Sequence, residues 1–302
     1  MSKVCIYGLI GNPVYHSLSP LMHNAALRKL KIKAKYKLFS LREDELQGFF
    51  SNLKKENIRG LNITIPYKER ILYDVNGLKN SAVFSIGAAN TVVVDKVGRI
   101  KFFNTDYLGF LRHIAELKLE PSKTAIIGAG GAAKALCFAL GKKKTREVSI
   151  YDIDNFRSLA IMKRFNDIFP DTKFKAVGSV EELSLKDKDL LINASSVGMK
   201  EEDPLLVKPQ MLHPGLFVYD LIYNPKETKL LKLAKESGLK FSNGLGMLFY
   251  QGVESLNLWI RPKKAPEETM RSALEKACLP RPIAGPACPA PMGGACSAYG
   301  GE

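Results

Sequence analysis

The segment Ile126-Ile127-Gly128-Ala129-Gly130-Gly131-Ala132-Ala133 carries G-x-G-x-x-A spacing between an apolar run and an alanine-rich one. This spacing suits close contact between a pyrophosphate and the backbone. Gly128 permits a tight turn, Gly130 lets the main chain approach the ligand, and Ala133 keeps helix and sheet close. Gly131 and Ala132 then open a helix whose N-terminal N–H groups favour negative charge. Asp152 follows about 20 residues further on, at the end of the next apolar run, where an acid accepts hydrogen bonds from an adenosine ribose. A carboxylate there repels a 2′-phosphate and argues for NAD over NADP. Arg157, Lys163 and Arg164 are cations that a 2′-phosphate could use, but their spacing fits the solvated face of a helix better.

Four further clusters collect polar side chains: Ser17-Leu18-Ser19-Pro20, Asn62 to Lys68, Gly87 to Thr91, and Asn104-Thr105-Asp106. Each has a local explanation: Ser19 as a helix cap, Asn90 and Asp106 as turn formers, Lys68 as a surface charge. Together they bring hydroxyls, amides, one amine and one carboxylate to the ends of predicted strands. That inventory suits a polyhydroxylated acid.

The elements needed to hold these groups are readable in outline. Val4 to Leu9, Tyr36 to Phe39 and Gly60 to Ile65 read as strands, with a helix opening at Ser19-Pro20 and another over 44–54. A hairpin joins Ala89–Val94 to Ile100–Asn104. Beyond a helix over 107–117, strands at 123–127, 148–151, 190–193 and 217–220 alternate with helical pieces, one of them over 132–140. This alternation implies a doubly wound parallel sheet. The fold class is therefore α/β: a mixed-sheet N-terminal domain, a Rossmann-like domain, and a cleft between them. A helix from Gly244, with Met247, Tyr250, Val253 and Trp259, is expected to pack back on the first domain. The domains are thus expected at 1–107 with 238–278, and at 108–237. Residues 279–302, rich in Pro, Gly and Ala, read as a disordered tail.

The 302-residue chain carries 45 Lys plus Arg against 30 Asp plus Glu, a net charge of +15. The excess is strongest where Arg28, Lys29, Lys31, Lys33, Lys35 and Lys37 crowd together, which reads as a solvated basic surface rather than a nucleic-acid patch. No apolar run is long enough to span a membrane, and the start is too soon broken by Gly11-Asn12-Pro13 for a signal peptide. A cytoplasmic location is expected. The five cysteines form no CxxC pair, so neither a zinc site nor a disulfide framework is expected.

The clusters above, with Gly8 to Pro20, Asn193 to Met199, Asp220 to Thr228 and Gly244 to Gln251, resemble in order the motif series of the shikimate dehydrogenase family, including its quinate/shikimate branch. The resemblance spans about residues 4 to 260. It implies reversible hydride transfer between a nicotinamide ring and C3 of shikimate, in the pathway to chorismate and the aromatic amino acids. It also implies roles. Lys68 and Asp106 would form the catalytic pair, Ser17 and Ser19 would hold the substrate carboxylate with Tyr223 nearby, and Thr64, Asn90 and Gln251 would bind ring hydroxyls. The cofactor would lie on Gly128, Ala129, Gly130, Gly131, Ala132, Asp152, Ser195, Gly244 and Met247, with no metal.

Three departures from the family pattern stand out. Asp152-Ile153-Asp154 replaces the usual basic NADP clamp and is similar to the NAD-using branch. Gly252-Val253 follows Gln251 where small alanines are common, and Ser195 stands where Thr is frequent. Ser at both 17 and 19 resembles the shikimate-selective pattern, whereas the NAD signal points to the branch that also uses quinate. NAD, favoured by Asp152, or NADP is the implied cofactor. Two alternatives stay open: an NAD-dependent quinate/shikimate dehydrogenase of quinate catabolism, and a ligand-sensing relative without chemistry. The implied partners are small molecules, with no nucleic acid or membrane, and the implied state is a monomer or homodimer.

Overall fold

The computed structural model describes residues 4–278, and the tail expected at 279–302 lies outside them. The first unit runs β1 (Cys5–Gly11), α1 (Ser19–Lys29), β2 (Ala34–Ser40), α2 (Leu46–Ser51), β3 (Ile58–Ile63), α3 (Ile71–Asp74), β4 (Leu78–Lys79), α4 (Ser81–Ile86), β5 (Thr91–Val94) and β6 (Ile100–Phe103). Its strands form one sheet in the order β2-β1-β3-β5-β6-β4. β1 is parallel to β2 and β3, whereas β5 is antiparallel to β3 and β6.

This mixed order does the positioning. Because β5 runs backwards, its first residue, Thr91, pairs with Asn62 near the end of β3 and with Phe103 at the end of β6. The segments following β1, β3 and β6 and the one preceding β5 therefore emerge at one edge of the sheet. All four polar clusters lie on those segments.

The second unit begins with α5 (Asp106–Glu116). It continues through β7 (Lys123–Ile127), α6 (Gly131–Lys142), β8 (Glu147–Tyr151), α7 (Asn155–Ile168), β9 (Lys173–Val177), β10 (Leu190–Asn193), β11 (Phe217–Asp220), α8 (Lys229–Glu236) and β12 (Phe241–Ser242). Every pairing is parallel, in the order β12-β11-β10-β7-β8-β9. Strands such as Leu190-Leu191-Ile192 are buried along their whole length, as expected of a parallel sheet covered on both faces. The strand order reverses between β7 and β10, and ligands of such sheets bind in the crevice at that switch point.

α9 (Leu245–Trp259) and α10 (Glu267–Cys278) return to the first unit. Phe249, Val253 and Leu256 share a core with Tyr7, Leu9, Met22 and Leu27. Each such side chain contributes about 1.5–3 kcal/mol on burial. The Trp259 indole stacks on Tyr7 and donates to the Val92 carbonyl at 2.9 Å. α5 and α9 cross closely at Gly109, where a Cβ would lie 2.7 Å from the Gln251 nitrogen.

Several expectations need correction. The helix expected over 44–54 is a short 3-10 turn at Glu43–Glu45 followed by α2, which ends at Ser51. There the Ser51 hydroxyl and Asn52 amide donate to the carbonyls of Gln47 and Gly48, so polar side chains close the last turn. Ser19 is the first helical residue of α1 rather than its cap. Leu18 occupies the cap position, and the Ser17 hydroxyl accepts the Ser19 N–H at 3.2 Å. Strand β12 pairs with β11, so the second sheet extends beyond the boundary expected at 237. The lysines of the basic segment are exposed, with Lys35 and Lys37 on edge strand β2, where outward charge discourages pairing with another sheet.

Candidate active site

Lys68 and Asp106 leave the sheet edge from the segments after β3 and β6. The Lys68 ammonium lies 2.6 Å from Asp106 Oδ2, with the carboxylate almost wholly buried and the lysine mostly so. The second carboxylate oxygen accepts from Asn90 Nδ2 at 2.8 Å. Asn90 is in turn fixed by its own carbonyl, which accepts the Thr105 N–H at 2.6 Å, while its amide also lies 3.3 Å from Gln251 Oε1. Gln251 comes from α9 and donates to the Leu248 carbonyl. The sequence therefore brings Lys68, Asn90, Asp106 and Gln251 together from four separate segments.

Beneath them lies a polar floor in which Tyr36 and Ser255, absent from the predicted clusters, join Asn62, Thr91 and Thr105. Asn62 Nδ2 donates to Ser255 Oγ at 2.8 Å, and the Tyr36 hydroxyl donates to Asn62 Oδ1 at 2.8 Å. Thr91 and Thr105 hydroxyls lie 2.8 and 3.0 Å from Ser255 Oγ. One signal could have revealed Ser255: it stands one helical turn after Gln251 on the buried face of α9. Satisfied networks of this kind hold their members in one arrangement.

Ser17, Ser19 and Tyr223 gather to one side. Tyr223 lies beside Ser17, and burial raises its phenol above the usual range. Thr64 lies just beyond β3, beside Gly11. The Tyr223 loop is tied down by Asp220, whose buried carboxylate accepts from Thr228 Oγ1 at 2.7 Å and from Asn193 Nδ2 and the Ile222 N–H at 3.0 Å. Burial pushes the Asp220 carboxyl up from its ordinary value.

The second unit meets this edge through the glycine turn. Gly128 has φ +104°, and a Cβ there would sit 2.8 Å from the Ala194 carbonyl carbon and the Ser195 nitrogen. Gly130 precedes α6 with no side-chain cap, so the first N–H groups of Gly131, Ala132 and Ala133 face outward from the helix end. A Cβ on Gly131 would lie 2.9 Å from Lys68 Cβ, which puts the turn directly beside the catalytic candidate. Asp152 at the tip of β8 accepts the Ala129 N–H at 2.6 Å and the Asp154 N–H at 2.9 Å. The Ser195 hydroxyl and N–H both donate to Asn193 Oδ1 within their own loop, at 2.7 and 3.0 Å. Gly244 lies against the Leu221 carbonyl, where a Cβ would be 1.9 Å away, and Met247 is buried in the same cluster as Ala129 and Ala133.

Arg157, Lys163 and Arg164 lie exposed on α7, as expected, but the two arginines also reach the first unit. Arg157 pairs with Glu69, and Arg164 donates to the carbonyls of Phe84 and Ser85 at the end of α4. Among the described residues no group of His, Cys, Asp and Glu is arranged to hold a metal ion.

A parallel sheet with a glycine turn at its switch point, set against a mixed-sheet unit bearing a lysine–carboxylate pair, defines a two-domain α/β protein of the Rossmann type. A family model described as the shikimate dehydrogenase substrate binding domain matches residues 9–92, and one described as the shikimate 5′-dehydrogenase C-terminal domain matches residues 244–275. The chain is 39% identical over 277 residues to the shikimate dehydrogenase (NADP(+)) of Methanopyrus kandleri, covering 89% of this chain and 94% of that one. The crystal structure of shikimate dehydrogenase from Aquifex aeolicus superposes with a TM-score of 0.82 at 33% identity, covering 91% of this chain and 98% of that one. Shikimate 5-dehydrogenase from Listeria monocytogenes, in complex with shikimate and NAD, gives 0.80 at 32% identity, covering 91% and 97%. The chain belongs to the shikimate dehydrogenase family.

Proposed function

We propose that the protein catalyses the reversible NAD(P)-dependent reduction of 3-dehydroshikimate to shikimate in the cytoplasm, with NAD as the preferred cofactor. The observation that carries this reading is the Lys68–Asp106 pair, held at 2.6 Å beside the glycine turn. The substrate domain is the mixed sheet with α9 and α10, and the nucleotide domain is the parallel sheet with its helices.

The second unit fits a dinucleotide: an uncapped helix end follows a turn in which a side chain at Gly128 would collide with backbone. Gly128 to Ala132 would hold the pyrophosphate, Asp152 the adenosine ribose, and the Ser195, Gly244 and Met247 segments the nicotinamide end. When bound, the nicotinamide supplies or accepts the hydride.

The remaining chemistry falls to side chains of the first unit, together with Asp106 at the start of α5 and Tyr223 in the loop after β11. As negative charge develops on the C3 oxygen, the Lys68 ammonium stabilises it and delivers a proton. Asp106 holds that ammonium and accepts from the neighbouring hydroxyl. Asn90, Gln251 and Thr64 fix the ring hydroxyls, while Ser17, Ser19 and Tyr223 receive the carboxylate. Asp152 and Asp154 together place two carboxylates where a 2′-phosphate would have to sit, which favours NAD.

Absorbance at the reduced nicotinamide band, followed with shikimate or quinate and with NAD or NADP, tests substrate and cofactor in four rates. Turnover with shikimate and NAD is expected to be the fastest. No turnover in any of the four would overturn the enzymatic reading, and a robust preference for NADP would overturn the role of Asp152.

A further inference from the structure

Two ion pairs that join the first unit to α6 and α7 converge on Glu69, the residue after Lys68. Its Oε2 lies 2.5 Å from Lys134 Nζ on α6, and its Oε1 lies 3.0 Å from Arg157 Nη2 on α7. Arg157 overhangs the glycine turn, since its Nη2 is the nearest heavy atom, at 3.7 Å, to a Cβ built on Gly130. It stands in the first turn of the helix after β8, the place from which an arginine reaches a 2′-phosphate in dinucleotide-binding folds. Here its charge is directed across the cleft instead. Two turns further along α7, Arg164 donates through Nε to the Ser85 carbonyl at 2.6 Å, fixing the same helix to the end of α4.

We infer that Glu69 is a specificity-determining residue for the cofactor, acting from the substrate domain by holding Arg157 away from the 2′-position. The inference rests on the nucleotide site proposed above. A 2′-phosphate must compete with Glu69 for Arg157 and also meets Asp152 and Asp154, so three carboxylates oppose it. The 2′-hydroxyl of NAD needs no contact from Arg157 and is indifferent to that competition. Lys134 gives Glu69 a second anchor and keeps its carboxylate in place when the nucleotide enters.

Glu69→Gln keeps the size of the side chain and removes its charge. The ratio of kcat/KM for NADP to that for NAD is expected to rise about tenfold in this variant, the scale of one charge-assisted hydrogen bond gained. The value with NAD should stay within about twofold. Arg157→Gln placed in the Glu69→Gln background should abolish the gain. Arg157→Gln alone should leave the wild-type ratio nearly unchanged, because that guanidinium is already committed, and this variant tests the inference should Glu69→Gln fail to fold. An unchanged ratio in Glu69→Gln, or an equal loss with both cofactors, would overturn the inference, as would a large selective loss of NADP use in Arg157→Gln alone. The wild-type ratio separates the two readings. A wild type that prefers NADP refutes the NAD preference, while a tenfold rise on removing Glu69 still supports the coupling.

Discussion

Asp106 presents one carboxylate oxygen to the Lys68 ammonium at 2.6 Å and the other to Asn90 Nδ2 at 2.8 Å. The lysine is therefore held by an acid that is itself oriented, and it retains N–H groups for a substrate oxygen. Lys68→Ala is expected to lower kcat by about 10²–10⁴, the range for removing a positioned general acid–base group. KM should change little, because the hydroxyl and amide contacts remain. Steady-state rates decide it, and near-normal turnover would remove Lys68 from the mechanism.

Asn90 is expected to carry both stability and binding. Asn90→Ala leaves the Thr105 N–H and one Asp106 oxygen without their partner in a buried site. Each abandoned group costs about 1–3 kcal/mol. Urea denaturation should show a clear loss of stability with an unchanged m-value, and KM for shikimate should rise. Wild-type stability in this variant would mean that water replaces the amide.

Gly128→Ala tests the glycine turn without touching the substrate domain. The φ of +104° disfavours any L side chain, and the added Cβ meets the backbone of Ala194 and Ser195. A destabilisation above about 1 kcal/mol is expected, with a larger rise in KM for the cofactor than for shikimate. Equal changes in both constants would place the effect in the fold as a whole.

The residues that the sequence made legible are those whose reasons are local. Gly128 requires a conformation that few other residues adopt, so the turn announces itself. The polar clusters could be placed together because strand ends converge once β5 is read as one arm of a hairpin. Ser19 was assigned to the wrong helical position because Ser-Pro reads the same at the cap and one residue later, and only the Ser17 hydroxyl decides between them. The Asn62–Ser255 and Glu69–Arg157 contacts join segments far apart in the chain. Nothing in either segment's own pattern names its partner, so the exposed Arg157 gave no sign of its pairing with Glu69. The two-residue strand β4 and the broken helix near Glu45 likewise depend on neighbours rather than on local propensity.

Two buried histidines set the acid limit of the fold. His23 stacks on Tyr36 with ring centroids 4.3 Å apart, and neither ring nitrogen has a hydrogen-bond partner among the described residues. Burial lowers its pKa to about 3. His113 on α5, with Nδ1 2.6 Å from the Tyr219 hydroxyl, is lowered by burial to about 4, against the opposing influence of Glu116. Both are neutral in the folded protein near pH 5, whereas in the unfolded chain a histidine begins to bind its proton near pH 6.5. The unfolded state thus holds more protons below that pH, and stability must fall as pH drops from about 6.5 toward 4. The slope approaches about 1.4 kcal/mol per pH unit for each histidine. Glu147, held down to about 2 by Lys175 and Lys188, loses its contribution only at lower pH, so its effect is separable. Calorimetric Tm values at pH 7 and pH 5 should differ markedly in the wild type and less in His23→Phe, which fills the same space without a titrating group. An identical pH dependence in that variant would show that His23 is not among the groups responsible.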